Sequence, residues 1–300
     1  MTVATGPAIA TGVALTTRTS PRVGRRLHRV FFRNALVTAG TVALALVLGI
    51  AVLGPVMSPY DPLKSNLRHR IQPPSMAHIA GTDAFGRDVF TRIAYGARIS
   101  LVLSLVIVVL TTVVASVIGV TAAWFRRLDN PVMRLMDVMM SVPSLILAIA
   151  LMGFLGARQD NLVIAIVVTQ VPRMTRLVRS AVLSVRANEF VELARALGCT
   201  NARIMVRHIY PHCVSPIVVQ ATFLFAQAIL IEAALSFVGV GTPPPTPSWG
   251  NMLAEGREHI SIAWWLTVLP GISIMVVVLG LNLLGDGLRD LLDPRLRGQD

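Results

Sequence analysis

Lysine is almost missing from this chain of 300 residues: Lys64 stands alone among 27 basic side chains. Charge of either sign is scarce too, at 14% of residues. A soluble fold of this length would carry nearly twice as much. Cysteine is limited to Cys199 and Cys213, too few for a disulfide framework and without zinc-ligand spacing, so both read as inert thiols. Neither GxSxG nor HExxH occurs, and His259 beside Glu258 has no second metal-spaced histidine. Residues 1–20 show no basic region, apolar core and cleavage site in that order. They read as a polar cytosolic tail and not as a cleaved signal peptide.

What remains is apolar. Hydrophobic residues make up 54% of the chain, and the mean hydropathy is +0.68. About 20 apolar residues at 1.5 Å each cross a hydrocarbon core of roughly 30 Å, and runs of that length recur. They fall near 35–57, 99–124, 132–155, 162–183, 216–240 and 264–284, the fourth interrupted by Pro172 and Arg173. The sequence therefore predicts an all-α polytopic membrane protein with six transmembrane helices. Its parts are a basic N-terminal arm (1–34), a first span (35–57), an extracytoplasmic loop (58–98), a five-span core (99–290) containing a polar loop (186–215), and a C-terminal tail (291–300).

The net charge of +12 does not point to nucleic acid, because the basic residues are spread among loops. It reports topology. With the N-terminus inside, 19 of the 27 basic residues fall on the cytosolic side and 8 outside, which places both termini in the cytosol. The first outer loop is the exception, with Lys64, Arg68, Arg70, Arg87, Arg92 and Arg98, and its acids and prolines suggest local structure.

The polar interruption Glu189–Pro211 (EFVELARALGCTNARIMVRHIYP) is the most informative stretch. Phe190, Leu193, Ala194 and Leu197 follow i, i+3, i+4, i+7 spacing and form one apolar stripe, with Glu192 and Arg195 off it. Gly198 suits the left-handed residue that ends a helix, and Thr200 or Asn201 can cap the next. Pro211 should stop that second helix, and Ser215–Pro216 should start the fifth span. Periodicity leaves two readings open: an amphipathic connector on the inner leaflet, or a docking handle for a soluble partner. His208 and His212 are four apart, but the expected break at Pro211 argues against a metal site.

Ionisable groups inside spans are functional candidates by default. Asp137 lies two turns into the third span, where an ion pair with Arg134 is available, and Glu232 lies deep in the fifth. Met133, Met136, Met139 and Met140 crowd the third span, where soft side chains suit either packing or a tolerant pathway. Outside the membrane, Gly241–Ser248 (GTPPPTPS) should be stiff and extended. The following WGNMLAEGREHI is amphipathic enough to lie along the outer surface, flanked by Trp249, Trp264 and Trp265 at the interface.

Glu192-Leu193-Ala194-x-x-x-Gly198, running on to His208-Ile209-Tyr210-Pro211, resembles the EAA loop of binding-protein-dependent ABC importer permeases. The family more often has Ala at the position of Leu193. Gly81–Leu101, Glu232–Leu253 and Asn282–Gly298 are similar to the C-type permease subunit of dipeptide and oligopeptide importers, in order around six spans. The resemblance covers about three quarters of the chain, excluding the N-terminal tail.

The resemblance implies a type I importer permease of the bacterial inner membrane, itself non-catalytic. Its partners would be a homologous second permease, two ATPase subunits and an extracytoplasmic binding protein, in a lipid bilayer, with a peptide as substrate. No cofactor is expected on this chain; ATP and Mg belong to the ATPases. Gly81-x-x-x-x-Gly86-Arg87-Asp88 echoes a phosphate loop, but Arg-Asp replaces Lys-Ser/Thr and the site falls outside the cell. Coupling to the ATPase would rest on Glu189, Glu192, Ala194, Arg195, Gly198, Arg203, His208 and Pro211. Asp137, Met136, Met140 and Glu232 are candidates for the path, and Pro244, Pro245 and Trp249 for the binding-protein dock. The rival from another class is a self-powered secondary transporter, which would predict inverted repeats and midplane ion ligands. No convincing repeat is present.

Overall fold

The computed structural model describes residues 35–292. The expected basic arm (1–34) and residues 293–300, with Arg295 and Arg297, lie outside the described residues. Among the described residues the fold is helical, apart from one bridge between Thr82 and Asp88.

Helix α1, described over Ala35–Met57, follows the first apolar run and ends with it at Met57. Helix α2 (Val89–Trp124) begins ten residues before its apolar run does. The cause is a cap: the Asp88 carboxylate accepts from Thr91 N at 2.8 Å and Thr91 Oγ1 at 2.7 Å. The loop expected over 58–98 thus ends at Asp88.

The third apolar run is broken into α3 (Arg126–Ser141) and α4 (Ser144–Leu155), which meet at 90°. Val142 takes extended backbone (φ −96°, ψ 131°), because the ring of Pro143 disfavours helical geometry in the residue before it. Five helices are long and apolar enough to cross a membrane, or six if this bent pair is one span.

Helix α5 (Gln159–Arg186) leads into the short α6 (Glu189–Ala196). A turn at Asn201–Arg203 and a wide π-helical segment, Ile204–Ile209, then run without interruption into α7 (Tyr210–Val238). The expected stop at Pro211 and restart at Ser215–Pro216 do not occur. In the π segment the bonding shifts by one residue, so that Tyr210 N–H donates to Met205 O. Pro211 then sits in the first turn of α7, where a missing N–H costs little.

Helices α8 (Trp249–Arg257) and α9 (Trp265–Leu292) complete the bundle. Without a hydrophobic drive between helices in lipid, close approach over small residues does the packing. A Cβ on Gly119 of α2 would stand 2.8 Å from Val178 Cβ of α5. One on Gly40 of α1 would stand 3.1 Å from the Gly280 carbonyl of α9. Large apolar side chains such as Val52, Leu53, Val113 and Val117 stay on the outside, as a lipid-facing surface requires.

Candidate functional site

Two ends of the bundle hold the polar groups that the spans exclude. At one end α6 is tied under α2, α5 and α7. Val191 (1% exposed) and Ala194 (7%) enter an apolar cluster with Trp124, Val178, Val182 and Ile209. Only Ala194 of the predicted stripe is therefore buried. Leu193 (63%) and Leu197 (84%) point outward, Phe190 is half-exposed, and Phe190 packs on the His212 ring at 5.2 Å between centroids. The sequence pattern marked a ridge, but the anchoring face is one residue away from it.

The ridge ends at Gly198. Its φ of +79° lets Gly198 N–H reach Arg195 O at 3.0 Å and Cys199 N–H reach Ala194 O at 3.1 Å, the paired bonds that close a helix through a left-handed residue. Thr200, not Asn201, caps the next turn through its side chain. Glu189, Glu192, Arg203 and Pro211 are exposed, and His208 is half-buried. Arg195 and Arg186 place their guanidiniums 5.8 and 5.2 Å from the Trp124 ring centre. These residues border a cleft of about 460 Å³ that also includes Arg126 and Arg127.

At the other end residues 58–88, 239–248 and α8 form a cap. Asp83 accepts from Arg87 Nε at 2.6 Å and Arg92 Nη1 at 3.1 Å. Glu255 of α8 accepts from the same two arginines at 2.8 and 3.1 Å, binding chain segments more than 160 residues apart. Burial pushes the Glu255 carboxyl up, against the pull of the Arg87 guanidinium. The false phosphate loop is part of this network: Asp83 also accepts from the backbone N–H of Phe85 and Arg87, holding Gly86 in a tight turn. Sequence reasoning noted acids and arginines here without pairing them; the Asp83/Arg87 spacing and Arg92 at the head of an apolar run were the available signals.

The path candidates are scattered. Glu232 is fully enclosed, with Ser236 Oγ donating at 2.9 Å, Thr242 Oγ1 at 3.2 Å and Ser100 Oγ at 3.3 Å. It clasps α7, α2 and the loop after α7 together and lines no open space. Met136 is buried, whereas Met140 is exposed. Asp137 pairs with Arg176 of α5 and not with Arg134. Of the dock candidates, Pro244 and Pro245 are exposed, but Trp249 is 1% exposed and donates its indole N–H to Ile93 O at 3.2 Å. Trp265 is likewise buried, leaving Trp264 as the exposed indole of the three. No group of three or more metal-ligating side chains exists among the described residues.

A bundle of helices long and apolar enough to cross a membrane, capped at one end and carrying an exposed helical handle at the other, defines an α-helical integral membrane protein. The chain belongs to the family of the binding-protein-dependent transport system inner membrane component, whose model matches residues 115–298. The N-terminal TM domain of oligopeptide transport permease C matches residues 24–74. A putative peptide transport system permease protein of Brucella abortus is 45% identical over 269 residues, covering 90% of this chain and 91% of that one. The dipeptide transport system permease protein DppC of Alkalihalophilus pseudofirmus is 43% identical over 274 residues (91% and 90%), and DppC of Escherichia coli K12 is 40% identical over 274 (89% and 91%). Among solved structures, a chain of the inward-facing MetNI methionine ABC transporter aligns with a TM-score of 0.56 at 19% identity, over 67% of this chain and 96% of that one. At that identity the likeness establishes a shared fold. The chain is thus an inner-membrane permease subunit of an ABC importer.

Proposed function

We propose that this permease imports di- and oligopeptides handed over by an extracytoplasmic binding protein, by alternating access driven from separate ATPase subunits. The observation that carries the coupling half is the outward ridge Leu193–Leu197 on a helix anchored by Val191 and Ala194. Such a helix can receive a push on one side and transmit it through α5 and α7 on the other. The peptide half is supported by the relatives' names, and the dock by exposed Pro244 and Pro245.

In this reading the α6 end and both termini lie in the cytosol. Glu189, Glu192 and Arg203 present charge to the ATPase surface, Gly198 makes the turn, and Arg195, held over Trp124, ties the element to α2. A homologous permease completes the pathway as a heterodimer. This chain performs no catalysis and binds no nucleotide; two ATPase chains hold ATP and Mg. The test is ATP-dependent uptake into liposomes by the reconstituted complex, with peptides of graded length and with nickel. Uptake of peptides is the expected result. Uptake of nickel alone would reassign the cargo, and uptake without the ATPases would overturn the mechanism.

A further inference from the structure

Helix α5 carries three arginines at successive turns of one stripe, Arg173, Arg176 and Arg179. Two have acids on α3: Arg176 donates to Asp137 and Arg179 to Asp129. Arg173 has no ion pair, hydrogen bond or ring contact among the described residues. It sits 14 residues from the Gln159 end of its helix and 13 from the Arg186 end. At 1.5 Å per residue that is about 20 Å from either end, midway along a helix long and apolar enough to cross a membrane. A lone guanidinium facing hydrocarbon at that depth is costly, so it must face polar surroundings.

Those surroundings are present. Arg173, itself exposed, borders an open cavity of about 470 Å³ into which α7 brings Gln220 and Gln227 and α9 brings Asn282, with Phe223 and Leu230 as apolar wall. Gln220 and Gln227 are seven residues apart and share one face of α7. No acidic side chain lines the cavity, so its charge is that of Arg173. A guanidinium binds a carboxylate with two parallel N–H···O bonds, and carboxamides both donate to and accept from a peptide bond. The volume falls in the range of small-molecule sites, about 300–1,000 Å³.

We propose that Arg173, Gln220, Gln227 and Asn282 form a mid-membrane subsite that holds the free carboxylate of the transported peptide. The subsite rests on the peptide-importer reading above. It replaces Glu232 and Met136, both enclosed, as the part of the path this chain supplies. Arg173 meets the carboxylate, the glutamines and Asn282 meet the adjoining peptide bond, and Phe223 and Leu230 accept side chains without selecting among them.

The experiment compares liposome uptake by the wild-type complex and by Arg173→Gln and Arg173→Lys complexes, for one peptide as the free acid and as its C-terminal amide. Any preference of the binding protein is common to all three complexes and cancels in the acid-to-amide ratio. Arg173→Gln is expected to lower uptake of the acid at least tenfold and of the amide less than twofold, with Arg173→Lys retaining most of the acid uptake. Copurification of all subunits shows that the complex stays assembled. Equal loss for acid and amide, or no loss for either, would overturn the subsite while leaving the importer reading intact. If the wild-type complex moves no peptide in either form, the importer reading fails first and the subsite with it.

Discussion

At the capped end of the bundle, charge is buried and paired within the chain; at the α6 end, charge and apolar surface are both left open. Asp83, Arg87, Arg92 and Glu255 satisfy one another across segments distant in sequence. Leu193, Leu197, Glu189 and Glu192 have no side-chain partner among the described residues and stand on a helix whose opposite face is anchored. The difference separates interactions that hold the subunit's own shape from surfaces that are complete only in an assembly. Substitution at the first kind should be read out as stability, and at the second as transport.

The largest expected loss of stability is at Arg92, which is 1% exposed and serves both acids of the network. Arg92→Ala leaves two carboxylates to Arg87 alone. Removing one partner of a buried ionic group typically costs about 3–5 kcal/mol. The thermal midpoint of the detergent-solubilised subunit should fall accordingly. A change worth under about 1 kcal/mol would show that the cap does not hold the fold together, and would erase the contrast.

Gly198 lies between the two regimes. A Cβ there would meet no atom within 4 Å, so the main penalty for a side chain is backbone strain at φ +79°. A side chain in the left-handed region costs roughly 1–2 kcal/mol, which the subunit should survive. In the coupling reading, Gly198→Val nonetheless abolishes ATP-dependent uptake, because the turn re-aims the whole ridge. Glu192→Arg should do the same through charge alone at an exposed site. Near-normal uptake from both would sink the coupling assignment.

How much of this was legible in the sequence differs by kind of information. Depth along the chain was readable: the apolar runs placed the helices, and the first run ended where its helix does, at Met57. Azimuth was not. Glu232 lies within its helix, but which way it faces depends on Ser100, 132 residues earlier, and on Thr242 in the following loop. The stripe on α6 was found by its period, yet period alone cannot say whether a stripe is the anchored side or the offered one. The break at Val142 was hidden because residues 132–155 are apolar enough on both sides of Pro143 to read as one span. The opposite error at Pro211 arose because one shifted turn let the helix absorb a proline. Arg173 was noticed as an interruption of its span, but its lack of a partner becomes visible only once Arg176 and Arg179 are seen to have theirs.

The smallest expected effect on stability is the sharpest test of the comparison. Leu193→Asp combined with Leu197→Asp alters two exposed side chains that touch no buried cluster. Exposed substitutions of this sort usually change stability by less than about 0.5 kcal/mol, so the thermal midpoint should hardly move. Copurification of the ATPases and ATP-dependent uptake should both fall at least tenfold, since each aspartate would have to be desolvated in an apolar groove. If the midpoint drops with the transport, the ridge is part of the fold, and the α6 end works by the same rules as the cap. If neither changes, the ATPases grip another surface. Only stability kept with transport lost leaves the two ends doing different jobs.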